Sequence, residues 1–477
     1  MIRLTATEAV RLLERGDITP LDLIDAAEHR VGEVESAINA LPTICFERAR
    51  ENARQMSTVA RKDKRAGWLA GLPVAIKDVT DVAGVRTTYG SPIFRDHVPQ
   101  VSDPVVERIE RNGGIVVAKS NTPEFAAGGS TFNEVFGRTR NPWNLALTPG
   151  GSTGGGAAAL AAGEVWLAHG SDHAGSLRRP ATYCLVVGLR PSAGRVTRGT
   201  TNHLFAPLSV QGPMARTVGD VALFLDAMVG LCPQDPLTFD APAVPFVDAV
   251  RNPVAPKRVA FSTDFGGIVP VDRETRENCI AAAYRFEELG AIVEEACPDL
   301  GGSERAFLPL RSQHYVVERE LLLLEHRDQI KPDIVWNTEL GLKQSSSDIA
   351  SAERERAKLF RSTAKFFETY DILVTPGAST PAFDANLRMP QEIDGQRLEN
   401  YLSASLITGI PTLMAMPSIA VPSGFDQFNR PLGIQIIGRH RGEAALLSAA
   451  HLFEMIMGLS LLVPTDPKPG NIVSSSS

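Results

Sequence analysis

A lysine that closes an apolar strand, a serine in a glycine-rich turn and a second serine behind small residues are the places where this 477-residue chain carries chemistry. Lys77 follows the run LPVAI, and a desolvated ammonium loses its hydration there, so its pKa falls and it can act as a neutral base. The alternative is a side chain that reaches solvent or Asp78. Ser152 and Thr153 stand in PGGSTGGG among five glycines, where backbone can approach a ligand closely. A phosphate-binding loop is excluded, because no Gly-Lys-Ser/Thr follows at the required spacing. Ser176 lies in GSDHAGSLRRPA, 24 positions after Ser152. The successive amides of His173, Ala174, Gly175 and Ser176 could point inward together as an oxyanion hole, which stabilises charge developing on a carbonyl oxygen. His169 and His173 are four apart, but on a strand and turn that spacing does not give a shared face, so no metal is expected. Taken one at a time, each segment also reads as an ordinary turn or strand end.

The elements that must hold these residues follow α/β grammar. Thr19-Pro20 caps a helix with the stripe Leu21, Leu23, Ile24, Ala27 and Val31, and a charged helix is expected over Glu47 to Lys64. LPVAI is a buried strand, Asp103-Pro104 starts a helix through Arg111, and Ile115 to Ala118 is again a strand. A helix is expected over Gly154 to Ala162 and a strand over Val165 to His169. The C-terminal half repeats the pattern, with strands at 258–261, 292–294, 372–375, 415–421 and 433–437. Its helices are expected at 273–289, 304–326, 352–370 and 443–457.

The three chemical segments, in this order and spacing, resemble the amidase signature family. The resemblance extends through GLPVAIKD, TTYGSP, GGIVVAKSNTPEF, FGRTRNPW, VGLRPSAGRVTR, QGPMARTVGDVALFLDAMVG, GIPTLMAMPSIAVPSG and PLGIQIIG. It implies a single large α/β/α domain with a mixed, mostly parallel twisted sheet flanked by helices. Within that domain, 1–70 reads as an N-terminal helical layer, 71–230 as the signature core, 231–470 as the remainder with variable substrate-side helices, and 471–477 as a disordered tail. The resemblance further implies hydrolysis of a carboxylic amide without a cofactor. Ser176 would be the nucleophile, Ser152 the bridging serine with a cis peptide before it, and Lys77 the base. Ser152 can then relay protons between Ser176 and Lys77. Arg178 and Asp172 match bracing positions, and Thr153 stands where a second serine is common. The chain departs from GTDTGGS at His173 and Ala174. The loop FAAGGST matches the substrate-binding loop, so Ala126, Ala127 and Gly128 are expected beside the acyl group. Tyr315 and Trp336, in the region of about 300–351 where the family varies most, could line the entrance, although an aromatic at helical spacing is more often core. The glutaminase component of a tRNA-dependent amidotransferase resembles the same family, and a non-catalytic member of the fold is a further alternative.

Composition narrows the partners. Acidic residues number 55 against 48 Lys plus Arg, a net charge of −7, and no basic run offers a patch for phosphate backbones. Nucleic acid is therefore not an expected partner. Five cysteines without a CxxC pair suit reduced thiols rather than disulfides or zinc. No uncharged apolar window approaches the roughly 20 residues a membrane span needs, and no apolar leader opens the chain. The expectation is a cytoplasmic protein with a small amide substrate, no membrane partner, and room for a homodimer.

Overall fold

The computed structural model describes residues 1–56, 65–199 and 201–470. Its centre is an eleven-stranded sheet. In chain order the strands are β1 (Thr43–Ile44), β2 (Pro73–Lys77), β3 (Ile115–Ser120), β4 (Leu167–Asp172), β5 (Val187–Arg190) and β6 (Val210–Ala215). They continue as β7 (Arg258–Phe261), β8 (Ile292–Glu295), β9 (Ile372–Pro376), β10 (Ser418–Phe425) and β11 (Pro431–Ile437). Across the sheet the order is β1-β3-β2-β4-β6-β5-β10-β11-β9-β7-β8.

Helices cover the sheet. Every residue of β2 is buried, as its continuous apolar run requires of a strand packed on both faces. The helix Gly154–Ala162 is also buried at every position, and its small side chains let it lie close against β2 and β4. Thr19 and Asp22 form a reciprocal capping box ahead of the helix Pro20–Ile38, and Asp103 caps Pro104–Arg111.

The sheet is mixed, but it is not mostly parallel. Six of the ten strand pairings are antiparallel and four are parallel. The difference comes from β5 and β6, which sequence patterning does not reveal, and from the antiparallel neighbours β10, β11 and β9. β6 reads VQGPMA, and Gly and Pro ordinarily argue against a strand. Its pairing with β5 covers only Met214 and Ala215, so Pro213 lies beyond the place where that neighbour would need its N–H.

Boundaries elsewhere shift modestly. The helix expected at 352–370 spans Ser346–Phe366 behind a Ser345/Asp348 capping box, and an unforeseen helix spans Pro332–Leu342. The helix starting at Arg273 becomes 3-10 after Tyr284. The charged helix over Glu47 to Lys64 is described as Phe46–Met56, and residues 57–64 and the tail 471–477 lie outside the described residues.

One buried carboxylate ties the sheet to the turn after it. Asp172, the last residue of β4, accepts from the backbone N–H of Gly175 (2.9 Å) and Leu177 (3.1 Å), and from Arg178 Nε (3.0 Å) and Nη2 (2.9 Å). Arg190, at the end of β5, lies 3.5 Å from the same carboxylate and donates to the Asp172 carbonyl at 2.6 Å. Arg178 continues to Gln435 on β11 (2.8 Å) and to the Thr408 carbonyl (2.8 Å). Burial alone would push the carboxyl pKa up, but Arg178 and Arg190 hold it well below the ordinary carboxylate range. Asp172→Asn leaves two buried guanidinium groups without a counter-charge. It is expected to cost about 3–5 kcal/mol, read as a fall in the urea midpoint with an unchanged slope.

Candidate active site

Lys77 sits at the C-terminal end of β2, between β3 and β4, and is fully buried. Its Nζ donates to Ser152 Oγ (2.7 Å), Thr153 Oγ1 (3.0 Å) and Ser171 Oγ (3.0 Å). All three partners are hydroxyls. Each can turn from acceptor to donor, so the cradle satisfies the amine with its third proton or without it. Burial drives its pKa from the ordinary 10.5 down to about 7, and the Asp172 charge opposes that shift. The lysine reaches neither solvent nor Asp78. That carboxylate is taken by Lys119, 3.4 Å away, and by the Thr88 hydroxyl at 2.5 Å. Lys119 also donates to the Thr80 carbonyl (2.7 Å) and Thr87 Oγ1 (2.6 Å), so the second buried lysine is used in bracing the loop after β2.

Ser152 stands at the head of the helix Gly154–Ala162, and the Gly151–Ser152 peptide is cis. Gly151 is required by close approach, since a Cβ there would meet the Gly128 carbonyl oxygen at 2.8 Å. The loop after β3 thus lies directly on the peptide that presents Ser152. The Thr153 N–H donates to the Ser176 carbonyl at 3.1 Å and joins the two serine-bearing turns. Gly175 has φ of +97°, and a Cβ on it would fall 2.2 Å from Thr408 Oγ1. Thr408 Oγ1 in turn donates to the Ala174 carbonyl at 2.7 Å.

These turns open into a cleft with about 690 Å³ of free space that continues to solvent. Ser152, Ser171 and Ser176 line one wall, with His173 and Ala174 beside them. Ala126 and Gly128 line a second, and Arg311, His314 and Tyr315 of the helix Ser303–His326 close the third.

The amidase family model matches residues 22–447. The chain belongs to the amidase signature family. Its members are hydrolases that act on amides. The chain is 34% identical to the acylamidase of Rhodococcus erythropolis over 465 residues, covering 97% of each protein. It is likewise 34% identical over 478 residues to the A component of the glutamyl-tRNA(Gln) amidotransferase of Geobacillus stearothermophilus, covering 94% of this chain and 96% of that one. Among solved structures, a bacterial aryl acylamidase described as an amidase signature enzyme superposes with a TM-score of 0.89 at 26% identity, over 96% of this chain and 97% of the other.

Within this family fold the expected residues separate into groups. Lys77 and Ser152 are in contact, and Ser176 lines the same cleft. Gly175 is expected from sequence among the oxyanion donors, but its N–H is given to Asp172. The N–H groups of His173, Ala174 and Ser176 donate to no group among the described residues. Ala174 does not adopt a positive φ, so alanine stands at this place without the strain of a left-handed backbone. His173 lines the cleft with its ring 4.9 Å from that of His314. Burial pushes its pKa well below the ordinary value, and Arg311 and His314 add to that, so it is uncharged. Ala126 and Gly128 face the cleft, whereas Ala127 is fully buried in the cluster with Phe125 and Tyr315 and lies behind the wall.

One contributor to the lysine cradle escapes sequence reasoning. Ser171 is hidden by its place inside β4, though its position directly before the anchoring Asp172 is a usable signal. For Tyr315 both sequence readings hold, since it packs in the core and also lines the cleft.

The buried amine has a thermodynamic signature. Below pH of about 7 both states carry the proton and the fold bears the full cost of a desolvated charge; between about 7 and 10.5 the unfolded chain binds a proton that the fold has shed, so stability rises with pH across that window and the cost is gone above about 10.5. Lys77→Met is therefore expected to stabilise the protein, measured by urea unfolding at pH 6 and pH 8.

Proposed function

We propose that the protein hydrolyses a carboxylic amide through an acyl-enzyme on Ser176, with Lys77 as base and Ser152 as proton relay. The observation that carries this reading is the 2.7 Å contact between Ser152 Oγ and a fully buried lysine whose only direct partners among the described residues are hydroxyls. A serine hydroxyl needs a base to become a nucleophile, and an amine with a pKa near 7 is a base at neutral pH.

In this scheme Ser176 Oγ attacks the carbonyl carbon while its proton passes to Ser152 Oγ and the Ser152 proton passes to Lys77 Nζ. The carbonyl oxygen gains negative charge and is met by the N–H groups of Ala174 and Ser176. When the tetrahedral intermediate collapses, the C–N bond breaks and the proton on Lys77 returns through Ser152 to the departing nitrogen. Water then repeats the sequence on the ester, releasing the carboxylate and restoring Ser176. Thr153 and Ser171 hold the amine in line throughout, since Lys77 keeps protons for them in both states.

The equal identity to the amidotransferase component supports a second reading, in which the ammonia released passes to a partner protein. Purified protein that turns over amides at full rate with no other chain present favours the stand-alone enzyme. Activity that appears only with co-purifying proteins favours the second reading.

A fluorophosphonate probe is expected to label the peptide carrying Ser176, with no labelling of Ser176→Ala; label on another peptide would overturn the assignment. Lys77→Met is expected to lower turnover by about 10²–10⁴-fold, the usual share of a general base. In the unaltered enzyme, kcat/KM should climb about tenfold per pH unit below a pKa near 7 and level off above it, because the lysine must lose its proton to act.

A further inference from the structure

The cleft carries positive charge that the hydrolytic steps leave unused. Arg311 is 4% exposed and lines the cleft. Its guanidinium is held by neutral groups, with Nη2 donating to the phenols of Tyr315 (2.9 Å) and Tyr401 (3.1 Å) and Nε to Asn337 Oδ1 (3.3 Å). Its Nη1 donates to nothing among the described residues, and no carboxylate lies within ion-pair distance of it there. Arg179 lines the same cleft, is also 4% exposed, and binds Ser405 Oγ at 2.8 Å, again without an ion pair among the described residues. Glu318 is the acidic side chain on the cleft wall, and it is engaged by the Thr201 hydroxyl, by the His203 N–H at 3.1 Å and by Arg319 at 3.8 Å. A guanidinium withdrawn from water without a counter-ion is costly, and a ligand that brings the missing anion recovers that cost.

We propose that the cleft selects amides carrying a second, ionised carboxylate, and that Arg311, with its fork fixed by Tyr315 and Tyr401, is the residue that binds it. Arg179 adds positive charge to the same space. The planar fork suits a carboxylate, and the phenols keep its orientation without neutralising it. This rests on the amide-hydrolase reading and adds the substrate class to it. The carboxylate can belong to the acyl part, as in a monoamide of a dicarboxylic acid, or to the amine part, as in an N-acyl amino acid.

The test compares kcat/KM for glutaramic acid, its neutral methyl ester, N-acetylglycine and N-acetylglycine methyl ester, each scored for C–N cleavage. At least one acid is expected to exceed its ester by about thirtyfold or more, and which acid does so assigns the carboxylate to the acyl or the amine side. In Arg311→Leu that ratio should fall to about one, chiefly through KM, while Arg311→Lys retains part of it. Glutarate should inhibit the unaltered enzyme competitively and lose potency in Arg311→Leu, and it serves as the readout if that variant is poorly folded. Equal turnover of acid and ester, or an acid preference that survives Arg311→Leu, would overturn the proposal. Fluorophosphonate labelling of Ser176 separates the two readings. If labelling and ester-amide cleavage persist without an acid preference, only the substrate class fails; if Ser176 is never labelled, the hydrolytic reading fails with it.

Discussion

The site depends on keeping one amine out of water and away from direct contact with any acid. A lysine in contact with a carboxylate stays protonated at neutral pH and is useless as a base. Here the nearer carboxylates are engaged elsewhere: Asp78 by Lys119 and Thr88, and Asp172 by Arg178 and Arg190. What remains around Lys77 Nζ is three hydroxyls, which offer hydrogen bonds but no fixed charge. The two buried lysines at the ends of adjacent parallel strands thus have opposite tasks. Lys119 is paired and structural, and Lys77 is unpaired and available.

Asp172 serves that arrangement at a distance. Its carboxylate fixes the turn 173–177 by accepting two backbone N–H groups, and it fastens that turn to β5 and β11 through the arginines. Because the Gly175 N–H is consumed in this way, the turn cannot offer every amide to a substrate. The ones without an acceptor among the described residues are those of His173, Ala174 and Ser176, and alanine in place of a more common glycine still supplies an N–H. The same turn places His173 against His314, so the departure at 173 changes the cleft wall and leaves the loop anchor intact.

The cleft brings together parts of the chain under different constraints. The serine wall is built from short turns on buried strands and tolerates little change, as the contacts made by Gly151 and Gly175 show. Another part of the lining comes from the long helix Ser303–His326, which buries Ala306, Phe307 and Leu310 in the core and turns other side chains to the cleft. In this chain it presents Arg311.

Much of the site is legible without coordinates, because its residues announce themselves by context. A lysine at the end of an apolar run, glycines around a serine, and a second serine at a set spacing are local patterns, and local patterns survive in one dimension. So do helix starts such as Thr19-Pro20 and Asp103-Pro104, where capping depends on neighbours in sequence. The sheet's mixture of directions is not legible, since β6 contains Gly212 and Pro213 and owes its existence to partners far along the chain. Nor can sequence assign Ser171 to the lysine, withdraw the Gly175 amide, or turn Ala127 away from the cleft. Each of those outcomes is a matter of which atoms lie within about 3 Å across separate segments, and only the packed chain sets such distances. Arg311 is the plainest case: in sequence it is one arginine on a charged helix, and only burial among neutral groups makes it a cation without a counter-ion among the described residues.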